Sequence, residues 1–201
     1  MRDSTFSPTH DRKMTSYRIT KYDPSKRNSD GSYSDDSEWT SITDIGNPKF
    51  RSPSYEEYES TESAYVAAVL LVLEEHEIDG LTIAGLESHN SERDFADLAR
   101  TSHLRDLPVE FDSDVRTLQN GKKLSVSELD KVIRLILRET VWMLLNSNGI
   151  EVKFGYDYYM YISCDPLSDS TIARIEANGL FVEPDVEQLR IVVVDKDGNP
   201  I

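Results

Sequence analysis

The chain has 201 residues, enough to bury a substantial core as one domain of ordinary size. Its 37 acidic and 22 basic side chains leave a formal net charge of −15, which works against DNA or RNA binding, because that needs basic groups to displace counterions from phosphates. The single cysteine, Cys164, rules out an internal disulfide, and the longest apolar run, ten residues, is about half of what a membrane span takes.

Residues 1–16 are polar and unpatterned, with no apolar core of a signal peptide, and read as a flexible N-terminal extension; the expected location is cytoplasmic. The remainder, 17–201, reads as a single domain. Residues 17–22 (YRITKY) predict a strand, 23–37 are rich in turn formers, and 38–45 (EWTSITDI) predict a second strand paired with the first. Ser54 and Glu57 have capping-box spacing and open a helix over about 54–76, with Ser60 and Thr61 as a second start that predicts a break near Glu59. The run 64–73 (AYVAAVLLVL) is apolar on all sides, which demands burial over most of the helix surface. Asp79-Gly80 is the expected stop, followed by a strand at 81–86 (LTIAGL).

A short helix is expected at 91–100, and a hairpin at 115–124 around Asn120-Gly121. Ser125 and Glu128 form a second capping box and introduce a long helix over about 126–146, in which Leu129, Val132, Ile133, Ile136, Leu137, Thr140, Val141, Leu144 and Leu145 recur at helical spacing. Asn148-Gly149 is its expected terminator. Strands follow at 151–154 and 156–163, then a helix at 168–178 closed by Gly179, and strands at 180–183 and 188–194. Strands and helices mix without regular βαβ alternation, so the expected fold is α+β: a mostly antiparallel sheet packed against two main helices plus shorter ones.

Chemistry-bearing motifs are sparse. The histidines, His10, His76, His89 and His103, lack metal-ligand spacing, no phosphate-binding glycine loop is present, and no metal or cofactor is expected. Cys164 lies at a turn before Asp165-Pro166, where a nucleophile could sit, although free cysteine is more often simply buried. Cys164, or a carboxylate pair such as Asp112 and Asp114, therefore supports an alternative reading as an enzyme acting on a small substrate; an acidic nucleic-acid mimic is a further alternative.

Charge is the stronger signal. Positions 52–92 contain no Lys or Arg and ten carboxylates, a one-signed field that attracts a basic partner and repels nucleic acid and membrane surfaces. Glu56, Glu57, Glu59 and Glu62 cluster at the helix start, where they also suit the positive end of the helix dipole. Four tyrosines and an acid occupy 156–161; on a strand, Asp157, Tyr159 and Tyr161 share one face, while Tyr156 and Tyr158 join Met160 and Ile162 on the other. Aromatics beside acid have the composition of a docking face for a basic target.

The stretches YRITKYDP (17–24) with EWTSITDIG (38–46), EEYESTESAYVAAV (56–69), and YDYYMYI (156–162) with ANGLFVE (177–183) together resemble a family of small acidic bacterial proteins that act as immunity partners in polymorphic toxin systems. The resemblance covers roughly 17–183. It implies a non-catalytic protein that neutralises a cognate, basic toxin domain, with no catalytic residues to carry over. Glu56, Glu57, Glu59, Glu62, Asp157, Tyr159 and Tyr161 are the expected partner-binding residues.

Overall fold

The computed structural model describes residues 14–29, 33, 35, 37–46, 51–88 and 115–184. Among the described residues seven strands form one sheet: β1 (Thr15–Thr20), β2 (Gly80–Ser88), β3 (Lys123–Ser125), β4 (Val141–Ser147), β5 (Ile150–Phe154), β6 (Met160–Cys164) and β7 (Phe181–Pro184). Their spatial order is β3-β2-β4-β5-β6-β1-β7, and every pairing is antiparallel. Three helices complete the described fold: α1 (Tyr55–Glu75), α2 (Val126–Leu137) and α3 (Asp169–Ala177), with α1 packed between the other two. The α+β expectation with an antiparallel sheet therefore holds.

Alternation sets the core. Ile83 pairs with Leu145, Leu145 with Val152, Val152 with Ile162, and Ile162 with Tyr17, so one row of buried side chains crosses five strands on a single sheet face. Fully buried Tyr65, Ala68, Val69 and Val72 of α1 join the same core cluster. The apolar run at 64–73 thus meets the sheet below and helices on either side, which is why its sequence shows so little amphipathic contrast. α1 is continuous through Glu59, and Ser54 Oγ accepts from the Glu57 amide at 3.1 Å to cap it.

Several sequence expectations fail. The long second helix does not reach 146: α2 stops at Leu137, and Val141–Ser147 is strand β4. The stop is a Schellman motif with Glu139 in the left-handed conformation (φ 57°), Thr140 N donating to Leu135 O at 3.0 Å and Glu139 N to Ile136 O at 2.9 Å. Glycine usually fills that position, so a glutamate there leaves no mark in the sequence. Asn148-Gly149 instead turns the chain between β4 and β5, with Gly149 at φ 85°. α1 ends in the same way, at Glu77 (φ 54°) rather than at Gly80.

Second, residues 38–45 are not a strand beside β1, whose partners are β6 and β7. They form a 3-10 turn over Ile42–Asp44, capped by Ser41, while Asp44 accepts from the Thr40 amide at 2.8 Å and the Ser41 amide at 3.1 Å. Third, 115–118 is a turn, not a hairpin arm. Asn120 Oδ1 accepts from the Leu86 amide at 2.8 Å, serving the register shift between Ala84 and Glu87 in β2. The helix expected at 91–100 and the strand expected at 188–194 lie outside the described residues, as does most of the N-terminal extension.

Glu139→Gly relieves the left-handed strain and should stabilise the fold by about 1 kcal/mol, read as a higher denaturation midpoint. Gly80→Ala should do the opposite, because a Cβ there would lie 2.1 Å from the Leu124 carbonyl oxygen in β3.

Candidate functional site

The seven expected partner-binding residues separate into three environments. Glu62 is fully buried and belongs to the fold. Arg138 grips its carboxylate through Nε at 2.6 Å and Nη2 at 2.7 Å, Arg134 Nη1 adds a contact at 2.8 Å, and the Tyr58 hydroxyl donates to it at 3.4 Å. Burial works against the Arg138 charge, but the Glu62 hydrogen bonds more than offset it and hold the guanidinium above its ordinary pKa. Glu62 is therefore the α1–α2 bolt and drops out of any docking surface.

Tyr159 and Tyr161 are half-buried and face cations of the chain itself. The Tyr159 hydroxyl accepts from Arg27 Nη1 at 2.9 Å, and its ring lies 5.6 Å from that of Tyr22. Tyr161 projects from β6 on the sheet face opposite the helices, with Lys153 Nζ 5.9 Å from its ring centroid. Nearby, Arg18 pairs with Glu183 at 2.7 Å and 2.9 Å. The surroundings of Tyr161 are basic rather than acidic, contrary to the expected pairing of tyrosine with Asp157.

Asp157 is not on a strand at all. Residues 156–159 form a turn closed by Tyr159 N donating to Tyr156 O at 3.2 Å, with Asp157 at φ 58° and Tyr158 at φ 61°. Two consecutive left-handed positions are the signature of a type I′ turn, and the second normally takes glycine. Here Tyr158 occupies it because its ring is needed below: it stands edge-on to Trp39 at 5.1 Å and to Tyr58 at 6.3 Å, and 5.7 Å from Tyr65. The Tyr65 hydroxyl donates to the Tyr158 carbonyl and accepts from the Lys21 amide at 2.8 Å, so both of its polar valences are used. Tyr156, by contrast, is 91% exposed.

The turn and the start of α1 meet through this aromatic cluster. Tyr58, one helical turn into α1, touches both Trp39 and Tyr158, which brings Glu56, Glu57 and Glu59 to the end of the molecule that carries Asp157 and Tyr156. All four acids are exposed; Glu57 pairs with Arg51 at 3.5 Å, whereas Glu56, Glu59 and Asp157 form no ion pair among the described residues. Glu139 joins them on the surface: partial burial, together with the charges of Asp44 and Asp157, raises its carboxyl above the usual range. Sequence reasoning missed Tyr156 and Glu139. Buried apolar positions are even-numbered on both sides of the turn (Val152, Phe154, then Tyr158, Met160, Ile162), which is the alternation of a strand, so the strand expected at 156–163 takes in the turn residues. Gly155 already separates the two expected strands, and Asp157, a turn former, was the further signal.

Cys164 is buried at the end of β6, and burial pushes its thiol up to about 12, with Glu75 and Asp165 acting in the same direction. It is protonated at neutral pH, the reverse of an activated nucleophile. His76 caps α1, while His89, His103, Asp112 and Asp114 lie outside the described residues. Among the described residues no group of three potential ligands could hold a metal ion, and no helix is long and apolar enough to cross a membrane.

Glu62→Gln should cost about 3–5 kcal/mol, because Arg138 is left buried without its counter-ion, whereas neutralising Glu56 or Glu59 should change stability by about 0.5 kcal/mol or less. Chemical denaturation of the three variants checks this. Burial also keeps Tyr22, Tyr58, Tyr65 and Tyr158 protonated well above pH 10, the ordinary tyrosine value. Above that pH the unfolded chain holds fewer protons than the folded one, so stability should fall as pH rises. Tyrosinate absorbance should accordingly show a late, cooperative step coincident with unfolding.

Comparison of the chain with protein-family models, with curated proteins and with solved structures finds no match in any of the three.

Proposed function

We propose that this is a non-catalytic, cytoplasmic binding protein of the immunity type, which neutralises a basic toxin domain by covering it with the acidic end of the molecule. The observation that carries the reading is the pair of exposed carboxylates at the start of α1, Glu56 and Glu59, which meet no cation among the described residues and lie at the same end as the Tyr156–Asp157 turn. Glu62, which the same run of sequence would add, contributes to the fold instead. Carboxylates without counter-ions repel one another in the free protein, and a partner bearing lysine and arginine relieves that repulsion on contact.

An inhibitor of this kind has to act before its target does damage, so a fast encounter matters as much as final affinity. Steering by a one-signed surface raises association rates from the roughly 10⁵–10⁶ M⁻¹s⁻¹ of neutral pairs toward 10⁸ M⁻¹s⁻¹ or more at low salt. A basic toxin domain that acts on nucleic acid would present the phosphate-binding groups that these carboxylates complement. The resemblance of residues 17–183 to immunity proteins of polymorphic toxin systems points to the same chemistry.

The test is association kinetics with the C-terminal domain of any secreted protein encoded immediately upstream. The on-rate should fall at least tenfold between low salt and about 0.5 M, where the Debye length shrinks to a few ångströms. Replacing Glu56, Glu57 and Glu59 together by lysine should slow association by a similar factor while leaving the fold intact. A salt-independent on-rate would remove the electrostatic basis of the reading, and an unaltered triple variant would move the docking face elsewhere.

A further inference from the structure

We infer that Tyr156 is the anchor of this docking face, presented by a rigid turn so that its ring fills a pocket on a basic protein partner; the inference rests on the binding reading above. Four large apolar side chains stand out as exposed among the described residues, and Tyr156, at 91%, is far ahead of Met14 at 43%, Val126 at 41% and Tyr55 at 36%. At that exposure its ring gains almost no burial from the described residues, so their packing does not depend on it.

Its backbone, in contrast, is held firmly. Tyr156 O accepts from Tyr159 N at 3.2 Å, and Gly155 N donates to Tyr159 O at 2.7 Å across the mouth of the turn. The left-handed pair Asp157-Tyr158 is locked because the Tyr158 ring sits among Trp39, Tyr58 and Tyr65 and its carbonyl is bonded by the Tyr65 hydroxyl. The turn therefore separates Tyr156 from Tyr158: Tyr158 is driven into the core, and Tyr156 is aimed at solvent from a fixed base. Little ordering remains for Tyr156 on binding, because its backbone is already set and tyrosine has only two side-chain torsions. A large amphipathic ring on a pre-organised base is the kind of residue that dominates binding energy and slows dissociation.

The chemistry of the partner follows from what surrounds the ring. Asp157 adjoins it, and Glu139 feels the Asp157 charge, so an occupant must bring positive charge to the rim of whatever pocket receives the tyrosine. Lysine and arginine also favour the face of an aromatic ring. A pocket with an apolar floor and a basic rim on a protein partner meets both demands.

The experiment compares wild type, Tyr156→Ala and Tyr156→Phe for binding to the upstream-encoded toxin domain, with thermal unfolding measured on each variant. The anchor predicts that Tyr156→Ala dissociates at least about tenfold faster, as loss of a hot-spot aromatic does, while its association rate and unfolding midpoint stay near wild type. Tyr156→Phe should retain most of the residence time. If wild type binds tightly and Tyr156→Ala dissociates within about twofold of it, the anchor is overturned and the acidic docking face stands. A lowered unfolding midpoint for Tyr156→Ala would overturn it in favour of a structural role. Failure of wild type to bind overturns both readings.

Discussion

A fully buried carboxylate at the centre of the helix layer constrains much of the rest of this fold. Glu62 is fully buried, and the hydrogen bonds from Arg138 and Arg134 offset the cost of taking its carboxylate out of water. Both arginines belong to the last turn of α2 or its cap, so meeting Glu62 fixes the register of α2 against α1. Tyr58, one turn earlier on α1, shares the carboxylate and leads into the aromatic cluster of Trp39, Tyr65 and Tyr158. An internal ion cluster therefore reaches, through three rings, to the conformation of a surface turn.

That chain of contacts explains why the acidic end is built as it is. The segment carrying Trp39 is fastened by Lys21, whose ammonium lies 3.9 Å from the Trp39 ring centroid and 3.2 Å from Glu38. Burial pushes Lys21 down to about 8 even though Glu38 opposes the shift, a sign of how thoroughly this corner excludes water. Tyr158 packs edge-on to the seated Trp39, and the left-handed backbone that carries it there turns Tyr156 outward. The outward tyrosine is thus a consequence of core packing, and it leaves a chemically distinctive surface beside Asp157.

The acidic stretch also changes meaning once it is folded. Glu62 is internal, Glu74 pairs with Arg174 at 3.0 Å, and Glu75 accepts from the Ser168 amide at 2.8 Å at the head of α3. Much of the charge therefore ties α1 to its neighbouring helices. Of the carboxylates in the stretch that meet no cation among the described residues, Glu56 and Glu59 lie at the exposed start of the helix and Glu77 and Glu87 beyond its end, a smaller set than the bare count of carboxylates implies.

Local sequence was sufficient for elements whose signals are local. The Ser54 cap, the β2 run, the Ser125–Glu128 box, α3 with Gly179 and strands β5 and β7 could all be read from spacing and turn chemistry, as could the α+β class. Tertiary structure alone decided three things. It placed two helix stops on Glu77 and Glu139, left-handed residues that a Schellman bond pattern holds without glycine. It converted the tail of an apparent helix into strand β4, because Val141, Met143 and Leu145 are buried with period two against β2 and β5. And it chose which carboxylates and tyrosines face inward, since a side chain such as Glu62 or Tyr158 is drawn into the core only by partners brought from distant parts of the chain.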